Sequence, residues 1–245
     1  MNLKLIVTAI ALTTWAGSAN AIFVSNATGN GLQTVLDNVT LGPVPGASSI
    51  DVNADQLSED QDSYWQTVGG ASATTLVFEL ANNRNVNTFG IFDQSDPTQY
   101  VELFAGPEGV ATQKSLSIAG DGTVSINAVD TGVTFNSDVF GFYLGRASGP
   151  TFYSDSSLHG GVDQMAALQG NNVDTLNLAG LGPTLWTDDS YIIAWEDLGY
   201  AVSDKDVNDL VVFVSSITHQ IPEPGTLALL GLGLVGLGVA RRRKA

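Results

Sequence analysis

An all-β fold, an antiparallel sandwich or jelly-roll-like single domain, is predicted by three observations. From residue 74 onward, ten short runs rich in β-branched and aromatic residues alternate with Gly, Asn, Asp and Pro, and runs at that spacing make antiparallel strands joined by tight turns. Helical periodicity is scarce. Hydrophobic residues make up 44% of the chain, enough for a domain of about 200 residues to hide roughly 70% of its unfolded surface.

The N-terminal stretch MNLKLIVTAIALTTWAGSANA has Lys4, an apolar run from Leu5 to Trp15, and then Ala19-Asn20-Ala21. Small side chains at Ala19 and Ala21 fit the narrow pocket of a signal peptidase, and the apolar run is too short to span a bilayer. Residues 1–21 are therefore read as a signal peptide and the chain as exported. Leu32, Val35, Leu36 and Val39 follow i, i+3, i+4, i+7 and predict one short helix. Residues 43–63, PVPGASSIDVNADQLSEDQDS, are polar and acidic and read as a loop over the sheet surface.

The strand runs are TTLVFEL, NTFGIFD, YVELFAG, SLSIAG, GTVSINA, GVTFN, VFGFYLGR, TFYSD, YIIAWEDL and DLVVFVSSIT. Asp121-Gly122 sits between the fourth and fifth, where Gly accepts the positive φ of a hairpin turn. DQMAALQ, residues 163–169, predicts a turn or two of helix with Asp163 as N-cap. No fixed-period repeat divides residues 22–221, so they read as one domain.

Between residues 22 and 221 the basic side chains are Arg84, Lys114, Arg146 and Lys205 against 24 acids, four minus twenty-four, or a charge of −20. Such a surface repels phosphate backbones, which excludes nucleic acid as a partner and makes divalent cations the natural counter-ions. Cysteine is absent, so there is no disulfide framework, thiolate metal site or Cys nucleophile. Stability after export must come from the core, from bound metal, or from both.

One stretch concentrates the charge. WEDLGYAVSDKDVNDLVVFV, residues 195–214, sets Glu196, Asp197, Asp204, Asp206, Asn208 and Asp209 between two runs that read as buried strand. Calcium takes six to eight oxygens at about 2.3–2.6 Å, and alternate residues of a curved loop can aim side chains at one point. Asp204, Asp206 and Asn208 have that spacing. An EF-hand is excluded, because Asp209 stands where its Gly is required, Ser215 where its bidentate Glu belongs, and the flanks are strands. The alternative is a solvated turn built from Asx bonds of Asp206, Asn208 and Asp209.

YIIAWEDLGYAVSDKDVNDLVVFV resembles the C-terminal signature of domain of unknown function 4114, an aromatic-Glu-Asp-Leu strand followed by an Asp-x-Asp-x-Asn-Asp-Leu-Val-Val strand. With looser likeness in NTFGIFD, VELFAG, FGFYLG and TFYSDSSLHGG, the resemblance spans about residues 70–218. It implies a secreted surface protein with calcium-associated neighbours, and it carries over to Glu196, Asp197, Asp204, Asp206, Asn208 and Asp209. Val207 departs from the aromatic residue expected there.

The C-terminus, residues 222–245, has Pro222-Glu223-Pro224, sixteen uncharged residues from 225 to 240, and then Arg241, Arg242, Arg243 and Lys244. Sixteen helical residues span about 24 Å, a transmembrane helix slightly short of a hydrocarbon core of ~30 Å, and the basic cluster stays cytoplasmic. GLGLVG at 231–236 matches GxGxxG, but no βαβ unit surrounds it and no nucleotide site is read there. The order of these features resembles the PEP-CTERM sorting signal. The resemblance implies a Gram-negative bacterium that makes exopolysaccharide, an inner-membrane intermediate, cleavage by an exosortase near Pro-Glu-Pro, and release to the cell surface or biofilm matrix.

No catalytic set is expected. His159, near Asp155, Ser156, Ser157 and Asp163, is read as a loop histidine, and His219 borders the sorting segment. The reading is therefore a non-catalytic surface or exopolysaccharide-matrix protein stabilised by calcium. Its alternative is a lectin-like carbohydrate-binding module stacking sugars on Tyr64, Trp65, Trp186 or Trp195. A glycoside hydrolase using two acids at roughly 5–9.5 Å separation ranks behind both.

Overall fold

The computed structural model describes residues 22–25, 29, 31–78, 86–106, 108–146 and 149–220. Residues 1–21 with Ala19 and Ala21, and residues 222–245 with the expected 225–240 helix, the Pro-Glu-Pro and the Arg cluster, lie outside them. Among the described residues no helix is long and apolar enough to cross a membrane.

In chain order the elements are α1 (Leu32–Val39), β1 (Thr40–Gly42), α2 (Glu59–Asp62), β2 (Trp65–Thr67), β3 (Ala71–Phe78), β4 (Thr88–Asp93) and β5 (Tyr100–Ala105). There follow β6 (Gln113–Ile118), β7 (Thr123–Ile126), β8 (Val129–Thr134), β9 (Val139–Arg146), β10 (Gly149–Tyr153) and β11 (Met165–Gln169). The last are β12 (Thr175–Leu178), β13 (Gly182–Leu185), β14 (Ser190–Trp195), β15 (Leu210–Ser215) and β16 (Ile217–His219). Within the described residues each of the ten predicted runs falls on a strand, TTLVFEL being described as far as Phe78, and α1 falls on its predicted stripe.

Among the described residues the strands form antiparallel sheets and close no barrel. A seven-stranded sheet runs β11-β14-β15-β3-β6-β7-β8; a six-stranded sheet runs β16-β2-β9-β4-β5 with β10 on β9; and β1-β12-β13 make a small third sheet. The two large sheets enclose one core, with Phe89 and Ile91 of β4 and Phe140, Phe142 and Leu144 of β9 meeting Tyr191, Ile193 and Trp195 of β14 and Val212 and Val214 of β15. Side chains alternate across a strand. The other face of β14 and β15 therefore carries Ile192, Ala194, Val211 and Phe213, which pack under Leu32 and Leu36 of α1, Leu176 and Leu178, and Ile22 and Val24. The β14–β15 pair is thus buried on both faces, which explains why YIIAW and LVVFV read as unbroken apolar runs.

The helix expected over DQMAALQ is a strand instead. Met, Ala, Leu and Gln are helix formers, but β11 pairs along its length with β14, Met165 opposite Trp195 and Gln169 opposite Tyr191. Burial of both its faces overrides a weak local preference. Asp163 caps no helix: its Oδ1 accepts the Met165 N–H at 2.9 Å at the entry to the strand.

The acidic loop of residues 43–63 does lie over the sheets, and it is anchored. Ile50, Val52 and Leu57 are buried, the Leu57 N–H donates to the Ala167 carbonyl at 3.0 Å, and Gln56 bridges Leu168. This covers the free edge of β11, where exposed backbone groups would otherwise template further pairing. Buried Asp174 holds the loop from β12's side, accepting the Ser49 N–H at 2.9 Å and the Ser48 and Ser49 hydroxyls at 2.6 and 2.8 Å.

The predicted Asp121-Gly122 turn links β6 and β7. Gly122 has φ +86°, and a Cβ there would sit 1.9 Å from the Phe135 carbonyl oxygen. Gly132 has φ +74° but open space around it. Gly122→Ala is expected to lower unfolding free energy by about 1–3 kcal/mol or more and Gly132→Ala by less; equal urea midpoints for the two variants would refute this account of the turn.

Candidate metal centre

In the two residues that follow β14, the period of two sends consecutive acids to opposite faces. Glu196 follows Ile192 and Ala194 toward the outer core, and Asp197 follows Ile193 and Trp195 toward the space between the large sheets. There Asp197 accepts the Asn87 side-chain amide at 3.0 Å. This geometry separates two acids that are adjacent in sequence.

The chain then turns back through a tight reversal in which Val202 N–H donates to the Gly199 carbonyl at 2.8 Å. The returning segment is docked on the N-terminal part of the fold: Ser25 N–H donates to the Lys205 carbonyl at 2.6 Å and Leu32 N–H, at the start of α1, to the Asp206 carbonyl at 2.9 Å. The Tyr200 hydroxyl donates to the Phe23 carbonyl at 2.8 Å, and the Lys205 ammonium lies 4.8 Å from the Tyr200 ring centre. Lys205 and Val207, on either side of Asp206, both have left-handed backbones, with φ +64° and +51°. That conformation is costly for a β-branched residue. It is held because the Val207 N–H donates to Glu196 Oε1 at 2.9 Å and the Val207 side chain is fully buried in the outer core. A valine suffices where the resemblance led one to expect an aromatic residue.

This fold of the loop brings three of the six predicted residues together. Carboxylate oxygens of Glu196, Asp204 and Asp206 lie within 4.8 Å of one another. Glu196 is 0% exposed and its Oε2 has no hydrogen-bond donor. Asp206 is 3% exposed, while Asp204 opens to solvent. The other three serve the trio from outside. Buried Asn208 hydrogen-bonds the Asp206 carboxylate, Asp209 Oδ2 accepts the Asp197 N–H at 2.9 Å, and Asp197 is turned to Asn87. A cleft of about 280 Å³ opens beside them, lined by Glu196, Asp197, Val202, Ser203, Asp204 and Asp209 among others.

The electrostatic state follows from burial. Desolvation, then the charges of Asp204 and Asp206, raises the pKa of Glu196 against the Val207 N–H and the Ser203 hydroxyl, which lower it; desolvation and Asp204 raise that of Asp206. Asp209 is pushed up to about 7 by desolvation and by Asp197, Glu196 and Asp206. A second acidic pair, buried Asp62 with half-buried Asp163, sits nearby. Asp62, 2% exposed at the end of α2, and Asp163 each have one carboxylate oxygen with no donor. Burial and Asp163 push Asp62 well up, and burial raises Asp163 to about 7.

Two residues that sequence reasoning does not find belong to this region. Asn87 reaches Asp197 across 110 positions, a separation that carries no local signal. Gln164 lies across the β11–β14 ladder from Glu196, buried, with its Oε1 lacking a donor. Its one sequence signal is a polar side chain at the head of the apolar run MAALQ.

The other expected groups are placed elsewhere. Trp65, Trp186 and Trp195 are fully buried in the cores, which removes them as sugar-stacking platforms. Tyr64 is half-buried, with its hydroxyl donating to Asp155 at 2.5 Å. His159 Nδ1 accepts the Tyr153 N–H at 3.2 Å and its Nε2 lies 2.9 Å from the Val162 carbonyl. Both ring nitrogens are engaged by backbone, and Asp155 accepts from Ser157 and Tyr64 rather than from the imidazole.

Residues 220–244 match the family model of the PEP-CTERM protein-sorting motif. No curated protein matches the chain, and no solved structure matches it. The motif marks an exported, membrane-transiting surface protein of Gram-negative bacteria that is processed by an exosortase. Its first residue, Gln220, is still part of the folded body, donating its N–H to the Tyr64 carbonyl at 2.8 Å and its side-chain amide to Gln66 at 3.1 Å.

The raised acids predict a pH dependence. A folded pKa above the unfolded value means that the native state binds more protons. The associated stabilisation is complete below the usual carboxylate range near 4 and is lost as pH rises through the folded values, about 7 for Asp163 and Asp209. The two histidines, lowered by burial, act in the opposite sense only at lower pH. In chelator, the melting temperature should fall between pH 6.5 and 8, and Asp163→Asn with Asp209→Asn should flatten that slope; a melting temperature rising with pH in wild type would refute the assignment.

Proposed function

We propose that the protein is a non-catalytic component of the bacterial surface or exopolysaccharide matrix whose last hairpin is clasped by calcium. The observation that carries this reading is the fully buried Glu196, one of whose carboxylate oxygens has no donor and whose carboxylate lies within 4.8 Å of those of Asp204 and Asp206. A buried carboxylate left unpaired is costly. A cation at that point would offset the cost. Glu196, Asp204 and Asp206 would hold the ion, with Asn208 orienting Asp206 and Asp209 and Asp197 adding negative field. The donors are hard oxygens without thiolate or imidazole, a set that suits calcium rather than zinc. The ion would supply charge neutralisation and a cross-link, tying the β14–β15 hairpin to residues 22–25 and to the start of α1.

Export fits this design. Extracellular calcium modules operate at dissociation constants of about 10⁻⁴–10⁻³ M, so such a clasp would close only outside the cell. The resemblance of residues 70–218 to domain of unknown function 4114 belongs to the same reading, with exopolysaccharide as the neighbouring material after exosortase release.

The exported, processed protein should melt about 5–10 °C higher in calcium at a hundred times the dissociation constant than in EDTA, from a linkage of about 2.7 kcal/mol. Asp206→Ala should abolish the shift, and Asp138→Ala, at a site remote from the cluster, should keep it. Coincident wild-type melts with and without calcium would rule the clasp out.

A further inference from the structure

We propose that Gln164 is a fourth side-chain ligand of this site, a neutral amide oxygen delivered across the β11–β14 ladder; the inference rests on the calcium reading above. The ladder continues one residue beyond the two strands. Met165 is opposite Trp195, and the Glu196 N–H donates to the Gln164 carbonyl at 2.9 Å. Gln164 and Glu196 are therefore a directly opposed pair. Their faces agree as well. Ala166 and Leu168 of β11 point to the outer core, as do Ile192 and Ala194 of β14, so Gln164 and Glu196, each two residues further along, share that face. Opposed residues on one face have Cβ atoms about 4.5–5.5 Å apart.

Both members end in an unsatisfied oxygen. Gln164 is 2% exposed with no donor to Oε1, and Glu196 is 0% exposed with no donor to Oε2. The nearby backbone donors are already committed: Val207 N–H to Glu196 Oε1, Asp209 N–H to the Trp195 carbonyl, Glu196 N–H to the Gln164 carbonyl and Leu32 N–H to the Asp206 carbonyl. An opposed pair on one buried face thus carries an acceptor on each member and a donor to neither. One cation between them satisfies both, together with Asp204 and Asp206.

The amide has a distinct chemical role. It adds a coordinating oxygen without a further negative charge, bringing the set to three carboxylates and one neutral oxygen. A larger number of protein oxygens favours calcium over magnesium, which keeps most of its water. It also places a ligand at the head of β11, so that the ion joins the covered edge strand of the seven-stranded sheet to the final hairpin.

Calorimetric titration with calcium, EDTA melts, and terbium luminescence lifetimes in H₂O and D₂O on the processed protein test this. Gln164→Met, of similar size and without the oxygen, should weaken calcium binding at least about ten-fold and add one water to bound terbium. It should melt in EDTA no lower than wild type, since an unpaired buried acceptor has been replaced by an apolar group. Unchanged calcium affinity overturns the proposal, and so does a lowered EDTA melt at unchanged affinity, which would make the Gln164 amide a donor to Glu196. If the Met variant does not fold, Gln164→Glu and Gln164→Asn decide. Affinity kept by Glu and lost about ten-fold by Asn, whose oxygen is withdrawn by one methylene, supports the proposal; equal affinities overturn it. A wild type that binds no calcium fails the clasp itself, a result distinct from a wild type that binds and a variant that binds as well.

Discussion

Burial of both faces of the β14–β15 pair is the constraint on which the rest of the structure depends. One face closes the core between the large sheets, and the other is roofed by α1, β12 and the chain around Ile22 and Val24. A strand pair covered on both sides has no solvent side for polar residues, so whatever follows its last apolar residue enters a dry environment. Glu196 and Asp197 occupy that position. Their burial is a consequence of where the pair ends.

The compensation differs on the two faces. Asp197, on the inner side, receives a neutral amide from Asn87 at the head of β4. Glu196, on the outer side, receives one backbone N–H on one oxygen and none on the other. With −20 charges between residues 22 and 221 and four basic side chains among them, the chain has few internal cations to offer. The described ion pair, Lys114 with Glu108, lies on β6, away from this loop. Protons and external cations remain as neutralisers, and they compete for the same oxygens. That competition links the raised pKa values of Glu196, Asp206 and Asp209 to the proposed clasp: what favours the protonated carboxyl without metal would also favour an ion when it is supplied.

The same loop is where the two ends of the domain meet. Carbonyls of Lys205 and Asp206 accept from Ser25 and Leu32, so the first described residues and the last hairpin share one set of contacts. On the opposite sheet β16 pairs with β2, Ile217 opposite Thr67 and His219 opposite Trp65. Gln220 extends this contact into the first position of the sorting motif. The described folded body therefore reaches to within two residues of Pro222.

Sequence by itself determined the class of this fold, because alternation and turn chemistry are local. The ten runs, the α1 stripe and the Asp121-Gly122 turn depend on side chains within a few residues of each other, and each stands where the pattern placed it. It also determined the export address, since a sorting signal is read as a linear segment. Short strands such as β1, β2 and β16 carry too few residues for a period to show. β11 was decided by tertiary pairing, because its helix-forming composition yields to a ladder with β14 that buries it on both faces. The candidate site divides in the same way. The spacing of Asp204, Asp206 and Asn208 revealed a cluster, but only the folded chain decided its membership: strand parity sent Asp197 inward and Glu196 outward, the left-handed turns at Lys205 and Val207 aimed Asp206, and the cross-strand register put Gln164 opposite. Parity and register are properties of paired strands, and a single strand does not contain its partner.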